Sequence, residues 1–148
     1  METLKYKTKT LKYIRIKQEN PETLQTALDY IAKDPSEKIL LMGLEELKDF
    51  DPYYTNTFYA FDVDFESLKK NNIKHYICFS EAVAYDTANR MIYAGIAPED
   101  ISILPNDSDE AILKELDKFP IDNVYLITWL KKYNELEVST KVYGEEKQ

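Results

Sequence analysis

Glycine is scarce in this chain, which has only Gly43, Gly95 and Gly144 among its 148 residues. The G-x-x-x-x-G-K-[ST] phosphate loop and the G-x-G-x-x-G dinucleotide turn both need closely spaced glycines, because their backbone must approach a phosphate. Three glycines so far apart can build neither motif. We therefore expect no nucleotide-binding loop and no cofactor held by this chain.

Cysteine and histidine are each present once, as Cys78 and His75. A single cysteine excludes an internal disulfide and a cysteine zinc cluster, and it suits the reducing cytoplasm. A Cys-His nucleophile pair is also disfavoured, because side chains three residues apart on a strand point to opposite faces. We expect structural roles for both residues, and no metal site.

Long apolar runs and excess positive charge are absent too. No run approaches the roughly 20 apolar residues that a membrane span needs, and the N-terminus lacks the apolar core of a secretory signal. The net charge of -8 argues against nucleic-acid binding, which depends on basic residues that neutralise phosphates. The length fits a single domain over residues 1–148.

The charge is unevenly distributed along the chain. Residues 1–17 carry one acid, Glu2, and six basic residues: Lys5, Lys7, Lys9, Lys12, Arg15 and Lys17. A basic arm of this kind could dock an acidic partner or a phosphate-bearing substrate. The lysines at 5, 7 and 9 alternate with Leu4, Tyr6 and Thr8, however, which favours a half-buried edge strand whose lysines deter aggregation.

Strand and helix patterns alternate almost throughout. Strands are predicted over 13–16, 38–42, 73–79, 100–104 and 123–128, and helices from 20 and over 64–71, 82–94, 108–118 and 129–136. Residues 138–143 favour one more strand. This order predicts an α/β fold: a Rossmann-like, doubly wound, mostly parallel sheet of five to six strands with helices on both faces. The aromatic segment 43–61 is long for a connection, and such loops are often functional.

Two blocks carry a family resemblance. The first is Phe61-Asp62-Val63-Asp64-Phe65-Glu66, and the second runs from Ala84-Tyr85-Asp86 to Ala94-Gly95-Ile96. They match the patterns W-D-x-D-F-E and A-Y-D-x-A-x-R-x-x-Y-A-G-I with the spacing kept. The chain thus resembles the C-terminal domain of the MurT-type subunit of lipid II isoglutaminyl synthase, a member of the Mur ligase family.

The resemblance implies a role in peptidoglycan synthesis. The full enzyme uses ATP to activate the α-carboxylate of the stem-peptide D-glutamate, and ammonia from a glutaminase partner then yields isoglutamine. ATP and Mg²⁺ are expected only on a central Mur domain, which this chain does not contain. The implied partners are therefore that ATP-binding domain and the glutaminase, and the chain is not expected to be active alone.

Family site residues fall on both blocks and on the segment between 43 and 61. The aspartate thought to complete the partner's catalytic triad falls at Asn56, where Asp49 or Asp51 could substitute. An asparagine carries no charge to stabilise an imidazolium, and in serine proteases the same replacement costs about 10⁴ in rate. Contact with a partner or substrate is implied for Asn56, Asp62, Tyr85, Asp86 and Arg90.

The motif helix leaves two interpretations open. Arg90 either contacts a neighbouring domain, since an arginine fork grips carboxylates and phosphates, or pairs with Asp86 one helical turn away. Packing is the expected role of Tyr85 and Tyr93. Two alternatives to the synthase role also remain: a free-standing interaction or regulatory module that kept the fold without the reaction, and a small-ligand-binding domain with its site at the strand ends.

Overall fold

The computed structural model describes residues 1–15, 21–44 and 63–145. Within these ranges six strands form one sheet: β1 Glu2–Tyr6, β2 Lys9–Arg15, β3 Lys38–Met42, β4 Ile73–Phe79, β5 Ile101–Leu104 and β6 Asn123–Thr128. The helices are α1 Pro21–Ala32, α2 Ala84–Tyr93, α3 Asp109–Leu116 and α4 Leu130–Glu145, with short 3₁₀ helices at Glu66–Lys70 and Pro98–Asp100.

The sheet has the strand order β1-β2-β6-β3-β4-β5. Only the β1–β2 hairpin is antiparallel, and the four other pairings are parallel. The last strand, β6, is inserted between β2 and β3, so that Leu126 lies opposite both Tyr13 and Leu41. This arrangement confirms the predicted mostly parallel α/β sheet.

Each face of the sheet is covered by its own helices. On the first face α1, the 3₁₀ helix Glu66–Lys70 and α2 enclose one apolar cluster, and α1 contributes its predicted stripe of Leu24, Ala27, Leu28 and Ile31. On the second face α3 and α4 enclose the other cluster, with Ile112, Leu116 and Leu136 against the sheet. All five residues of β3 are buried, as a central strand covered on both faces requires.

Several sequence predictions hold at residue level and others do not. Strands 73–79 and 123–128 are confirmed, and β1 is an edge strand, but of the three predicted edge lysines only Lys5 lies on it. Lys7 lies in the turn after β1, and Lys9 is buried on β2. Residues 138–143 are helical instead of extended, because Leu136 and Thr140 continue the buried side of α4 that begins at Tyr133. The helix predicted over 64–71 is a 3₁₀ helix, Glu66–Lys70.

Two buried lysines lie at the amino end of the parallel strands. Lys38, 0% exposed, donates hydrogen bonds to the carbonyls of Asp34 and Ser36 in the turn between α1 and β3. Lys9 is buried in the same way, and it donates to the carbonyls of Phe119 and Ile121 ahead of β6. The turn before β3 and the turn before β6 are thus each held by hydrogen bonds from a lysine ammonium to their carbonyls.

Asp34 extends this network. Its carboxylate accepts hydrogen bonds from the backbone N–H of Ser36 at 2.9 Å, the amide of Asn123 at 2.9 Å and the hydroxyl of Tyr125 at 2.8 Å. The hydroxyl of Ser36 is a further donor and the largest cause of a strongly lowered pKa of Asp34. The α1–β3 turn is therefore tied to β6 by charge-assisted hydrogen bonds.

Candidate functional site

The carboxyl end of the parallel sheet is where ligands bind in open α/β folds, at the point where successive connections leave toward opposite faces. Here β2 and β3 continue toward helices on the first face, whereas β6 continues into α4 on the second face. The switch point therefore lies at the adjoining ends of these three strands, at Arg15, Thr128 and Met42.

Thr128 is an unusual residue at this point. It is 0% exposed, and its hydroxyl has no hydrogen-bond partner among the residues that the structure describes. Its backbone carbonyl does accept a bond from the hydroxyl of Tyr13, at 3.2 Å. Leaving a buried hydroxyl unpaired costs roughly 1–3 kcal/mol, so the carboxyl end retains a polar group that does not contribute to folding.

A cavity of about 550 Å³ opens beside the end of β2. Its walls are mostly apolar, and Arg15 and Glu2 supply the two charges; the remaining lining residues are Met1, Tyr13, Ile14, Tyr30 and Leu130. This volume lies within the range of small-ligand sites, about 300–1,000 Å³. The cavity is therefore at the position that the strand-end alternative requires.

Two further residues shape the carboxyl end. Gly43 follows β3 and donates its N–H to the carbonyl of Ile127 at 2.9 Å, and a Cβ there would overlap the ring of the buried Phe79. Ser80 accepts bonds from the N–H groups of Ala82 and Val83, both at 3.2 Å. Ser80 therefore bonds the turn that precedes α2, whereas the N-cap of α2 is Val83, which makes no side-chain capping bond.

Arg90 lies on the buried side of α2 and holds the first motif block in place. Its guanidinium donates to Glu66 at 2.8 Å and to the carbonyl of Val63 at 2.8 Å, and it lies over the ring of Phe65. The hydrogen bond from Arg90 lowers the pKa of Glu66. Arg90 therefore links the residues of both motifs.

The pairing considered between Asp86 and Arg90 does not form. Arg90 is 6% exposed and directed toward the 3₁₀ segment, whereas Asp86 is exposed to solvent. Burial is the reason for the difference, since a buried guanidinium needs acceptors inside the protein. Glu66 and Val63 accept from its two terminal nitrogens, whereas its Nε has no partner among the described residues.

The end of the motif helix is explained by backbone geometry. Gly95 has a φ of 99°, in the left-handed region that favours glycine. The N–H of Gly95 bonds to the carbonyl of Ile92 at 2.9 Å, and that of Ile96 bonds to Met91 at 3.1 Å. These two bonds form a Schellman motif, in which the apolar residue after the glycine packs back on the helix. The motif residues Ala94-Gly95-Ile96 thus form the C-terminal cap of α2.

The two motif tyrosines are exposed, and the expectation that they pack is wrong. Tyr85 is 60% exposed and Tyr93 is 86% exposed. The side of α2 that meets the sheet consists of Ala84, Ala88 and Met91. The tyrosines lie on the opposite side of the helix and are left in solvent.

Four of the residues predicted to contribute to a site, Asp49, Asp51, Asn56 and Asp62, lie outside the described residues. Three others are described: Tyr85 and Asp86 on the solvent side of α2, and Arg90 on its buried side. One motif thus contains both exposed side chains and a buried side chain that links two segments of the fold. Helical spacing alone is enough to predict which residues are exposed, because positions 85, 89 and 93 lie on one side of the helix and positions 84, 88 and 91 lie on the other.

His75 and Cys78 lie on opposite faces of β4, as predicted. Cys78 lies beside Met91, and burial raises the pKa of its thiol to about 12, so the thiol stays protonated at neutral pH. His75 stacks on Phe119 with 4.0 Å between ring centroids, and burial lowers its pKa. Neither residue is placed for nucleophilic catalysis.

Sequence reasoning missed a polar chain that starts from His75. The hydroxyl of Ser102 donates to Glu115 at 2.6 Å, so it accepts from Nε2 of His75 at 2.7 Å. The serine's single hydrogen is thus committed to the carboxylate, and the histidine cannot act as its base. The pairing depends on the register of β4 and β5, which the spacing of 27 residues does not reveal.

Two classes of feature are absent from the described parts of the chain. No group of three or more histidine, cysteine or carboxylate side chains there is arranged to hold a metal ion. Among those same residues no helix is long and apolar enough to cross a membrane.

Comparison with known proteins gives a family and a fold. The family described as MurT ligase C-terminal matches residues 18–131. A crystal structure of MurF from Acinetobacter baumannii is similar in fold, with a TM-score of 0.57 and 14% sequence identity over 93% of this chain. The chain spans 30% of that MurF chain. No curated protein sequence matches significantly.

Proposed function

We propose a function for this chain on the premise that it belongs to the MurT ligase C-terminal family, to which residues 18–131 match. The chain serves as the C-terminal domain of a MurT-like subunit of lipid II isoglutaminyl synthase. In that role it takes part in the ATP-dependent amidation of the stem-peptide D-glutamate, in the cytoplasm, together with an ATP-binding Mur domain and a glutaminase.

The single observation that carries the proposal is the family match, which covers both motif blocks and the strand β4 between them. The 30% share of the MurF chain supports a domain that works as one part of a larger ligase. The switch point of the sheet, with Arg15 and the unpaired hydroxyl of Thr128, is the end at which a substrate would meet this domain.

The chemical contribution of the chain is positioning. ATP and Mg²⁺ are held by the central domain, and this chain closes over the activated substrate without phosphorylating it. Arg90 fixes the block Val63–Glu66 on α2, and this block directly follows the segment 45–62 in the sequence. Asn56, Asp49 and Asp51 belong to that segment.

Reconstitution tests the proposal. The chain is combined with a purified ATP-binding Mur domain and a glutaminase from a MurT-type system, and amidation of lipid II is followed by mass spectrometry. We expect isoglutamine only when all three proteins, ATP and glutamine are present. Failure of the chain to bind either protein, or amidation that proceeds equally well without it, would contradict the proposal.

A second candidate function is favoured by Asn56, which stands where the family has the aspartate that completes the glutaminase triad. The chain would then be a free-standing interaction module that regulates a synthase. Adding it to a complete synthase separates the two functions: restored or stimulated amidation supports the first, and inhibition supports the second. Asn56→Asp should raise glutaminase activity only if the chain serves as the triad partner.

A further inference from the structure

The solvent side of α2 forms one continuous stripe, here called the tyrosine face: Tyr85, Asp86, Asn89, Ile92 and Tyr93. All five residues are exposed, and every other position of the helix is buried. The fold therefore uses one side of α2 completely and leaves the other side to solvent. Three of the five exposed side chains are large and apolar or aromatic.

The tyrosines make no specific contact with the described part of the chain. Neither Tyr85 nor Tyr93 makes a hydrogen bond or ring contact with any described residue, whereas Tyr6, Tyr13 and Tyr125 each donate a hydrogen bond from the hydroxyl. Tyr13 in addition stacks on Tyr133. An exposed tyrosine without contacts contributes little to folding, and tyrosine is among the residues most enriched at the energetic centres of protein interfaces.

The surface around this face carries negative charge. Residues 80–107, which include α2 and its flanking connections, contain one basic residue, Arg90, and five acids: Glu81, Asp86, Glu99, Asp100 and Asp107. Arg90 is buried against Glu66 and adds no positive charge to the tyrosine face. A complementary partner must therefore present positive charge.

The face also extends away from the carboxyl end of the sheet. The helix starts next to Ser80, at the carboxyl end, and Tyr93 follows Tyr85 by eight residues, or about 12 Å along the axis. A domain that closes on the carboxyl end would reach the start of α2 but not its whole length. The tyrosine face is thus available to a second protein while the carboxyl end is occupied.

We propose that the tyrosine face docks a protein surface that presents arginine or lysine side chains. Guanidinium and ammonium groups stack favourably on tyrosine rings and pair with a carboxylate such as Asp86. Within the proposed assembly this basic surface belongs to the glutaminase subunit, and that assignment rests on the proposed function.

The test measures the dissociation constant of the chain for the purified glutaminase by calorimetry at two salt concentrations. The double variant Tyr85→Ala/Tyr93→Ala should bind about 30-fold more weakly, because truncation of a central interface tyrosine costs roughly 2 kcal/mol or more. Asp86→Lys should also weaken binding, by about tenfold at low salt and by less at high salt.

Matched controls lie on other surfaces of the same chain. Val138→Ala/Val142→Ala removes the exposed apolar pair of α4, and Asp29→Lys reverses an exposed acid on α1. Both should leave the dissociation constant unchanged. Because all of these positions are exposed, the thermal unfolding temperature should stay the same in every variant, and that measurement separates lost binding from lost folding.

The outcomes distinguish this inference from the proposed function. If the native chain does not bind the glutaminase, the proposed function fails and the docking assignment fails with it. If the native chain binds and the tyrosine variants bind equally well, only the tyrosine face is refuted. If the variants instead abolish self-association of the chain, the face contacts another copy, and the docking proposal is overturned.

Discussion

The two ends of the parallel sheet differ in how they treat buried polar groups. At the amino end Lys38 and Lys9 fill their donors with the carbonyls of the turns, and Asp34 accepts from four donors. At the carboxyl end the buried hydroxyl of Thr128 has no partner, and a cavity lies beside Arg15. The amino end thus carries a hydrogen-bonded network of charged groups, in which the side-chain oxygen of Asn123 lacks a partner among the described residues, and the carboxyl end carries the unpaired hydroxyl of Thr128.

This difference indicates where stability and function reside. A fully paired buried charge is costly to disturb, because removal of one partner leaves the others unsatisfied. An unpaired buried hydroxyl instead lowers stability for as long as no ligand or partner satisfies it. Removal of the Lys38 ammonium and removal of the Thr128 hydroxyl should therefore change the free energy of unfolding in opposite directions.

The largest effect is expected at the amino end. Lys38→Ala should lower the free energy of unfolding by about 4 kcal/mol, because it opens a cavity and leaves two carbonyls unpaired. Lys38→Met keeps most of the volume and should cost about 2 kcal/mol, which isolates the hydrogen bonds. Urea unfolding measures both values, and an unchanged free energy of unfolding in Lys38→Met would contradict a polar role for Lys38.

Gly43 tests how tightly the carboxyl end is packed. Gly43→Ala should cost about 1–3 kcal/mol, because the new methyl group would displace the ring of Phe79 from its contact with Trp129. Gly144→Ala is the matched control: its Cβ would meet neighbours only at 3.7 Å, and in helix α4 alanine should raise stability by up to about 1 kcal/mol. Thermal unfolding of both variants checks the opposite signs.

Asp34 should make the amino end sensitive to acid. Hydrogen bonds, first from Ser36, lower its pKa in the folded state below the unfolded value of about 3.9. The carboxylate therefore contributes stability above that value, and the contribution is lost as the pH falls below it. Asp34→Asn should cost about 1–2 kcal/mol at pH 7 and progressively less in acid. Urea unfolding from pH 7 to pH 2 measures this, and parallel curves for the two proteins would refute it.

The smallest change in the free energy of unfolding is expected at Thr128, and this substitution tests the comparison between the two ends most directly. Thr128→Val should raise the free energy of unfolding by about 1 kcal/mol, because it removes a buried hydroxyl that has no partner. A loss of stability would show that the hydroxyl is satisfied after all. If the variant is more stable and the reconstituted synthase is slower, the hydroxyl serves the assembled site.

The fold was predictable because its periodic signals are strong. The continuous apolar run of β3 predicts a buried strand, and the helical spacing of Leu24, Ala27, Leu28 and Ile31 predicts the buried side of α1. Both sets of residues are buried in the structure. The structure of residues 138–143 was not predictable in this way. Val138 and Val142 suggest a strand, whereas the buried side of α4 depends on Tyr133, Leu136 and Thr140. Tertiary packing decided between two local patterns there.

The site was predictable only as a set of residues. The motif identified Tyr85, Asp86 and Arg90 together, but it did not reveal that Arg90 faces inward to Glu66 while the other two face solvent. The spacing of Asp86 and Arg90 suggested a surface ion pair, which is worth only a few tenths of a kcal/mol and yields to burial. The hydroxyl of Thr128 gave no signal, because its isolation depends on its tertiary neighbours.

The insertion of β6 between β2 and β3 has a consequence for synthesis on the ribosome. The sheet cannot close until residue 128 has emerged, because β2 and β3 each pair with β6 and not with one another. A nascent chain that stops before residue 123 leaves two apolar strand edges open, which invites aggregation. Contacts of such long sequence separation make folding slow, so the last fifth of the polypeptide determines when the rest becomes native.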